Sequence, residues 1–254
     1  MPEHLGGRVA IVTGAGRGIG RATAALLAQA GADVACVART GSELAEAAAG
    51  VRAAGRQAVE IQADISDPGA AALIAARTHA ELGDVGILVN NAATVTPLGP
   101  TAAVDPGQWA WAIAVNVVGP MRLTRIFLDG MVKRGWGRIV NLSSGIAAAP
   151  GSMVGMNAYA TSKSALEAHT LNLAAELAGT GVTVNVLRPG MIDTAMPAWI
   201  RDQRPSQIGS ALHERFMIMQ ESGMMASPAR PAGMLLELIT GELTGQIADA
   251  GSRS

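Results

Sequence analysis

Residues 8–20 read RVAIVTGAGRGIG, and the reading of this stretch decides the fold. RVAIVT (8–13) is a nearly continuous apolar run, as expected of a strand covered on both faces of a parallel sheet. It leads straight into a turn in which Gly14, Gly18 and Gly20 let the backbone bend tightly and let a phosphate approach the helix that follows. At that helix N-terminus, unpaired N–H groups and the helix dipole favour an anion. The pattern is GxxxGxG, because position 19 is Ile19, so the stricter GxGxxG is not met. No Gly-Lys-Ser/Thr follows, which excludes a Walker loop. A glycine turn can also serve only to pack a helix on a strand. Its place directly after the first strand favours nucleotide binding here.

Outward from this stretch, short β-branched runs alternate with alanine-rich segments. DVACVA (33–38), AVEIQ (58–62), VGILVN (85–90), RIVNLS (138–143), VTVNVL (182–187) and GQIAD (245–249) read as further strands. Residues 18–30, 42–54, 68–81, 108–133 and 158–178 have helical length and composition. Strand and helix in alternation imply right-handed crossovers and one α/β domain, a doubly wound parallel sheet of about seven strands. Residues 191–227 break the rhythm with Met191, Met196, Trp199, Met217, Met219, Met224 and Met225, and with Pro197 and Pro205. An insertion of this length is expected to form a lid or pocket wall, an extra helical cap on the core being the alternative.

Composition narrows the function. Of 254 residues, 49% are hydrophobic and 15% charged, with a formal net charge of −1, so no electrostatic footprint for nucleic acid or an anionic membrane is present. The single cysteine, Cys36, lies in an apolar run and reads as a buried thiol. The first residues carry no basic leader with an apolar stretch, and no window reaches the ~18 apolar residues of a membrane span, so a cytoplasmic setting is expected. His4, His79, His169 and His213 show no metal spacing, HERFM (213–217) is not HExxH, and no metal is expected. LSSGI (142–146) is not a G-x-S-x-G elbow, which argues against a serine hydrolase.

The only tyrosine, Tyr159, stands four positions before Lys163 in NAYATSKSAL (157–166), and residues i and i+4 share a helix face. A phenol with a pKa near ~10 is a better proton exchanger at neutral pH if that value falls by about two or three units. A cation ~4 Å away at an effective dielectric near ~20 supplies roughly 4 kcal/mol, enough for the shift. After the second strand, VACVARTGS (34–42) has Ala38 where dinucleotide folds that select NAD carry an acid, followed by Arg39 and Thr40. A guanidinium can bind a 2′-phosphate through paired donors, and Arg17 in the glycine turn adds a second cation. NADP(H) is therefore expected, with NAD(H) the alternative.

TGAGRGIG (13–20), NNAA (90–93), Asn116, Ser144, YATSK (159–163) and RPG (188–190) together resemble the short-chain dehydrogenase/reductase family in order and spacing, over about residues 8–249. The resemblance implies a Rossmann-type sheet and hydride transfer between a nicotinamide dinucleotide and an alcohol or carbonyl. It implies that Tyr159 exchanges a proton with the substrate oxygen, that Lys163 lowers the tyrosine pKa and bonds the nicotinamide ribose, and that Ser144 holds the substrate oxygen. Asn116 would help hold a water linking Lys163 to solvent. The cofactor would lie along Gly14, Arg17, Gly18, Ile19 and Gly20, with Asp64 and Ile65 flanking adenine. Asn91 and Ala92 would pass its ribose, and Pro189, Gly190, Ile192 and Thr194 would lie at its nicotinamide end.

Of the pair Ser143 and Ser144, the second is the family's usual choice. It precedes Tyr159 by fifteen residues, so this loop carries about two extra. Met153, Met156, Met196 and Trp199 are expected to give an apolar, adaptable cavity for a medium-sized hydrophobic ketone or secondary alcohol. The layout resembles the 3-oxoacyl-carrier-protein reductases. Family members pair through the helices near 108–133 and 158–178 and the last strand, so a homotetramer or dimer is expected, although ADAG (248–251) departs from the usual ending. Two rivals stand beside this reading: a non-catalytic nicotinamide-nucleotide sensor or scaffold of the same fold, against which Asn116, Ser144, Tyr159 and Lys163 argue, and a relative catalysing epimerisation or dehydration.

Overall fold

A computed structural model of the chain describes residues 5–223 and 225–251; His4 and Met224 lie outside the described residues. Seven strands, β1 (Val9–Thr13), β2 (Asp33–Ala38), β3 (Ala58–Gln62), β4 (Val85–Asn90), β5 (Gly137–Leu142), β6 (Val182–Arg188) and β7 (Ile247–Asp249), form one parallel sheet in the order β3-β2-β1-β4-β5-β6-β7. The register is regular from Val9 opposite Asp33 to Leu142 opposite Leu187, apart from a shift between Val9 and Ala10 where β1 meets β4. The order reverses between β1 and β4, and in doubly wound sheets ligands bind at that switch point, beyond the carboxyl ends of the strands.

The continuous apolar strands follow from helices on both faces. Ala10 and Val12 of β1 and Val34 and Cys36 of β2 face one layer, built from α1 (Gly18–Gln29), α2 (Gly41–Ala53) and α10 (Ala229–Thr240). Val9, Ile11, Ala35 and Val37 face the other, where α3 (Ala70–Leu82), α5 (Gly119–Lys133) and α6 (Asn157–Glu176) contribute Ile74, Leu123, Met131 and Leu173. Neighbouring side chains on a strand point to opposite faces, so each strand feeds both layers. Cys36 is fully buried, and burial pushes its thiol up to about 12, which makes it inert at neutral pH.

Helical segment 108–133 begins earlier than expected and is not one regular helix. α4 (Pro106–Ile113) starts at Pro106 because Asp105 caps it, accepting from the Gln108 N–H at 2.8 Å. A π-turn, Ala114–Val118, then separates α4 from α5. Residues 191–227 hold α7 (Ala195–Arg201), α8 (Pro205–Ile208) and α9 (Ser210–Glu221), closed at the base by a bridge between Ile192 and Ala226. Ile200, Ile208, Leu212 and Phe216 from this segment pack with Val95, Ile146 and Met156 into a third apolar cluster, which touches the Tyr159 ring. Among the described residues, no helix is long and apolar enough to cross a membrane.

Candidate active site

A cleft of about 310 Å³ lies over the carboxyl ends of β1, β2, β4, β5 and β6. One end is the glycine turn. Gly14 has φ +64°, and a Cβ there would lie 2.8 Å from Asn91 Nδ2 and 2.9 Å from Ala92 Cα. Gly18 has φ +55°, and a Cβ there would press on Thr194 Cγ2 at 3.2 Å. Gly20 sits beneath the turn, against the Gly14 carbonyl, and shapes the cleft without lining it. Asn91 Nδ2 donates to the carbonyls of Thr13 and Gly14, at 2.8 and 3.1 Å. Thr13 Oγ1 accepts from the N–H groups of Asn91 and Ala92, both at 3.0 Å. Turn and loop are thus locked together across the switch point. No side chain caps α1, so the N–H groups of its first turn are open towards the cleft.

Arg17, Ile19, Arg39, Thr40, Asp64 and Ile65 line the same end, as expected from sequence. Asn91, Ala92, Pro189, Gly190, Ile192 and Thr194 line its middle. Two ion pairs sit on the rim: Arg17 with Glu43 at 3.3 Å, and Arg39 with Asp64 at 3.8 Å. Asp64 also accepts from the Ser66 N–H and hydroxyl at 2.9 and 2.8 Å. Glu43 was not foreseen. The end of β2, where dinucleotide folds carry an acid, holds Ala38, whereas this carboxylate arrives from the first turn of α2.

At the other end, Ser144, Tyr159 and Lys163 converge. The hydroxyl of Ser144 accepts weakly from the Ile146 N–H, at 3.4 Å, and lies beside the Tyr159 phenol. Ser143 is buried on the cleft wall, and its hydroxyl has no protein partner. Lys163 is buried, and its ammonium donates to the Leu142 carbonyl at 2.7 Å. Burial lowers its pKa to about 8, against the pull of Glu167 one turn further along α6. Glu167 in turn holds Arg188 by two bonds of 2.8 and 2.7 Å, which fastens α6 to the end of β6.

Three expectations need correction. The expected lowering of the tyrosine pKa by Lys163 is absent: burial dominates and raises the phenol, and the opposing influence is the Ser144 hydroxyl. The ammonium reaches back to Leu142 and lies 5.7 Å from the ring centroid, while burial acts on the phenol directly. Asn116 stands directly behind the cleft wall, against Thr94, which lines it. Its side chain lies in the π-turn, accepting from the Thr94 N–H at 2.8 Å and donating to the Thr94 carbonyl and Ser162 hydroxyl at 2.8 and 2.9 Å. Trp199 lies off the cleft and is 40% exposed, because α7 turns Met196, Pro197 and Ile200 inward and Trp199 outward. Gly20, as above, is a packing glycine. Met153, Met156 and Met196 do line the apolar end, together with Ile146, Ile200 and Phe216, the last three not singled out from sequence.

The residues present fit a dinucleotide: a cradle that a Cβ would fill at two points, an open helix N-terminus, and an orphaned hydroxyl, Ser143 Oγ, on the wall. Among the described residues, no cluster of His, Cys, Asp or Glu could hold a metal. The sequence profile of the short chain dehydrogenases matches residues 8–205, and the chain belongs to that family of nicotinamide-dependent oxidoreductases acting on CH–OH and carbonyl groups. It is 32% identical to a 3-oxoacyl-(acyl-carrier-protein) reductase of Aquifex aeolicus (strain VF5), over 97% of each chain. Its fold is similar to NAD⁺-bound xylitol dehydrogenase, with a TM-score of 0.86 at 26% identity over 96% of this chain and 98% of that one. It is also similar to a NAD(P)-dependent gluconate 5-dehydrogenase from Beutenbergia cavernae with bound NADP, with a TM-score of 0.84 at 34% identity over 98% and 97%.

Proposed function

We propose that the protein reduces a medium-sized hydrophobic ketone to a secondary alcohol with NADP(H), Tyr159 supplying the proton. The observation that carries this reading is the polarity of one continuous cleft: Arg17 and Arg39 at one end, and Ser144 with Tyr159 against Ile146, Met153, Met156 and Phe216 at the other. The bound nicotinamide would supply the hydride. Ser144 holds and polarises the substrate oxygen, and Tyr159 gives it a proton. If NADP(H) is the cofactor, reduction is the favoured cellular direction. Lys163, on the same face of α6 as the tyrosine, would hold the ribose of the bound cofactor.

Residues 191–227 serve as the substrate lid; Met191, Met196, Ile200 and Phe216 already form one wall of the cleft. A homo-oligomer fits the apolar side chains left outside on α5, α6 and the last strand, Met121, Ile126, Leu171 and Ile247, each more than a third exposed. The test is a panel of ketones and alcohols with both reduced and both oxidised cofactors, followed at the nicotinamide absorbance. NADPH-dependent reduction of apolar ketones is expected. Tyr159→Phe should lower turnover at least about 10²-fold while cofactor affinity stays within a factor of about two. Cofactor binding without turnover on any carbonyl would favour a sensor of the same fold. Turnover confined to small charged substrates would overturn the apolar pocket.

A further inference from the structure

The acid that dinucleotide folds place at the end of β2 is missing from Ala38, yet a carboxylate reaches the same corner of the cleft from α2. Glu43 Oε2 lies 2.9 Å, and the Ala38 methyl 3.5 Å, from the single point where a Cβ on Gly16 would stand. Glu43 Oε1 is 3.3 Å from Arg17 Nη1. Thr40 and Glu43 have the spacing of a capping box, T-x-x-E. Thr40 makes no side-chain cap bond, however, and the carboxylate is directed at Arg17 across the cleft. Glu43 therefore does something other than finish the helix.

From this geometry we infer that Glu43 sets how strongly the cleft discriminates between NADP(H) and NAD(H). It weakens 2′-phosphate binding in two ways, by engaging the guanidinium that would otherwise receive the phosphate and by standing beside that phosphate as a like charge. Arg39 keeps the site usable for NADP(H), because its partner Asp64 is more distant, at 3.8 Å, and is already bonded to Ser66. The inference rests on the NADP(H) assignment made above. The Arg17–Glu43 pair lies at the surface and contributes little to stability, so the charge of Glu43 can be removed without harm to the fold.

The test is binding, not turnover. Wild type and Glu43→Gln are titrated by fluorescence with NADPH and NADH, and with adenosine 2′,5′-bisphosphate and adenosine 5′-monophosphate, which isolate the 2′-phosphate. Removing one carboxylate near a group carrying nearly two negative charges should tighten NADPH and the bisphosphate about five- to tenfold. NADH and the monophosphate should stay within about twofold, and the gain should shrink as salt is raised. Unchanged NADPH affinity in the variant, with an unchanged melting temperature, would overturn the inference. So would weaker NADH binding, which would make Glu43 an acceptor for the ribose hydroxyl. A wild type that binds NADH the more tightly would sink the NADP(H) assignment separately. The effect of Glu43→Gln is read against the wild type's own NADPH affinity, and decides the role of Glu43 in either case.

Discussion

Replacing Lys163 by methionine should make the protein more stable and catalytically dead. The side chain is 2% exposed, and burial brings its pKa from 10.5 to about 8. That fall of roughly 2.5 units, at about 1.4 kcal/mol each, means the buried charge costs about 3 kcal/mol at neutral pH. Methionine fills a similar volume without a charge, and Glu167 is left with its two bonds to Arg188. The Leu142 carbonyl loses its donor, which costs ~1–2 kcal/mol. The net gain of ~1–2 kcal/mol corresponds to a rise in Tm of roughly 2–8 °C. The sign of the pH dependence separates this account from generic repacking. Below pH ~8 the lysine is protonated folded and unfolded, so its penalty is constant. Between ~8 and ~10.5 the unfolded chain keeps the proton that the folded protein has released, and wild-type stability climbs with pH. Lys163→Met lacks that climb. Thermal unfolding of both proteins from pH 7 to 10 should show the variant melting higher at neutral pH and the gap closing towards pH 10. The raised Tyr159 is common to both proteins and cancels in the comparison. A variant that melts below wild type at pH 7, or a gap that stays constant with pH, would refute the reasoning.

The paired serines offer a second contrast. Ser144→Ala should lower kcat about 10²-fold, by loss of a donor at the substrate oxygen, whereas Ser143→Ala should leave the melting temperature unchanged or slightly raised, since it removes a buried hydroxyl without a protein partner. Glu167→Gln should destabilise the fold by ~2–3 kcal/mol, leaving Arg188 its more distant partner Asp249 at 4.0 Å, and calorimetry should show Tm lower by roughly 4–12 °C. Without the carboxylate that supports its charge, Lys163 should also lose its proton at lower pH than in wild type.

Most of the fold was legible because a sheet covered on both faces needs uninterrupted apolar strands, and those runs stand out between alanine-rich helices. Strand ends shifted by one or two residues, as at Arg8 and Gly245, which lie outside β1 and β7. The π-turn at Ala114–Val118 left no mark in the sequence, because one extra residue in a helical turn changes neither composition nor period enough to see. Tyr159 and Lys163 were found through their spacing, but spacing fixes only the face they share. Where a long lysine chain ends depends on a carbonyl 21 residues away, at Leu142. Trp199 misled for a related reason: a methionine-rich segment marks an apolar wall, but which side of α7 faces it is set by Met196, Pro197 and Ile200. Glu43 escaped notice because discrimination at the ribose was sought on a strand, and the group that reaches the corner belongs to the next helix.

The three bonds of Asn116 bind the loop after β4, the π-turn and α6 into a single block. That block joins Thr94, on the cleft wall, to the helix that carries Tyr159 and Lys163. A library restricted to residues 145–155 and 196–223 would vary the apolar wall of the cleft while leaving that block, and Ile192 and Thr194, untouched.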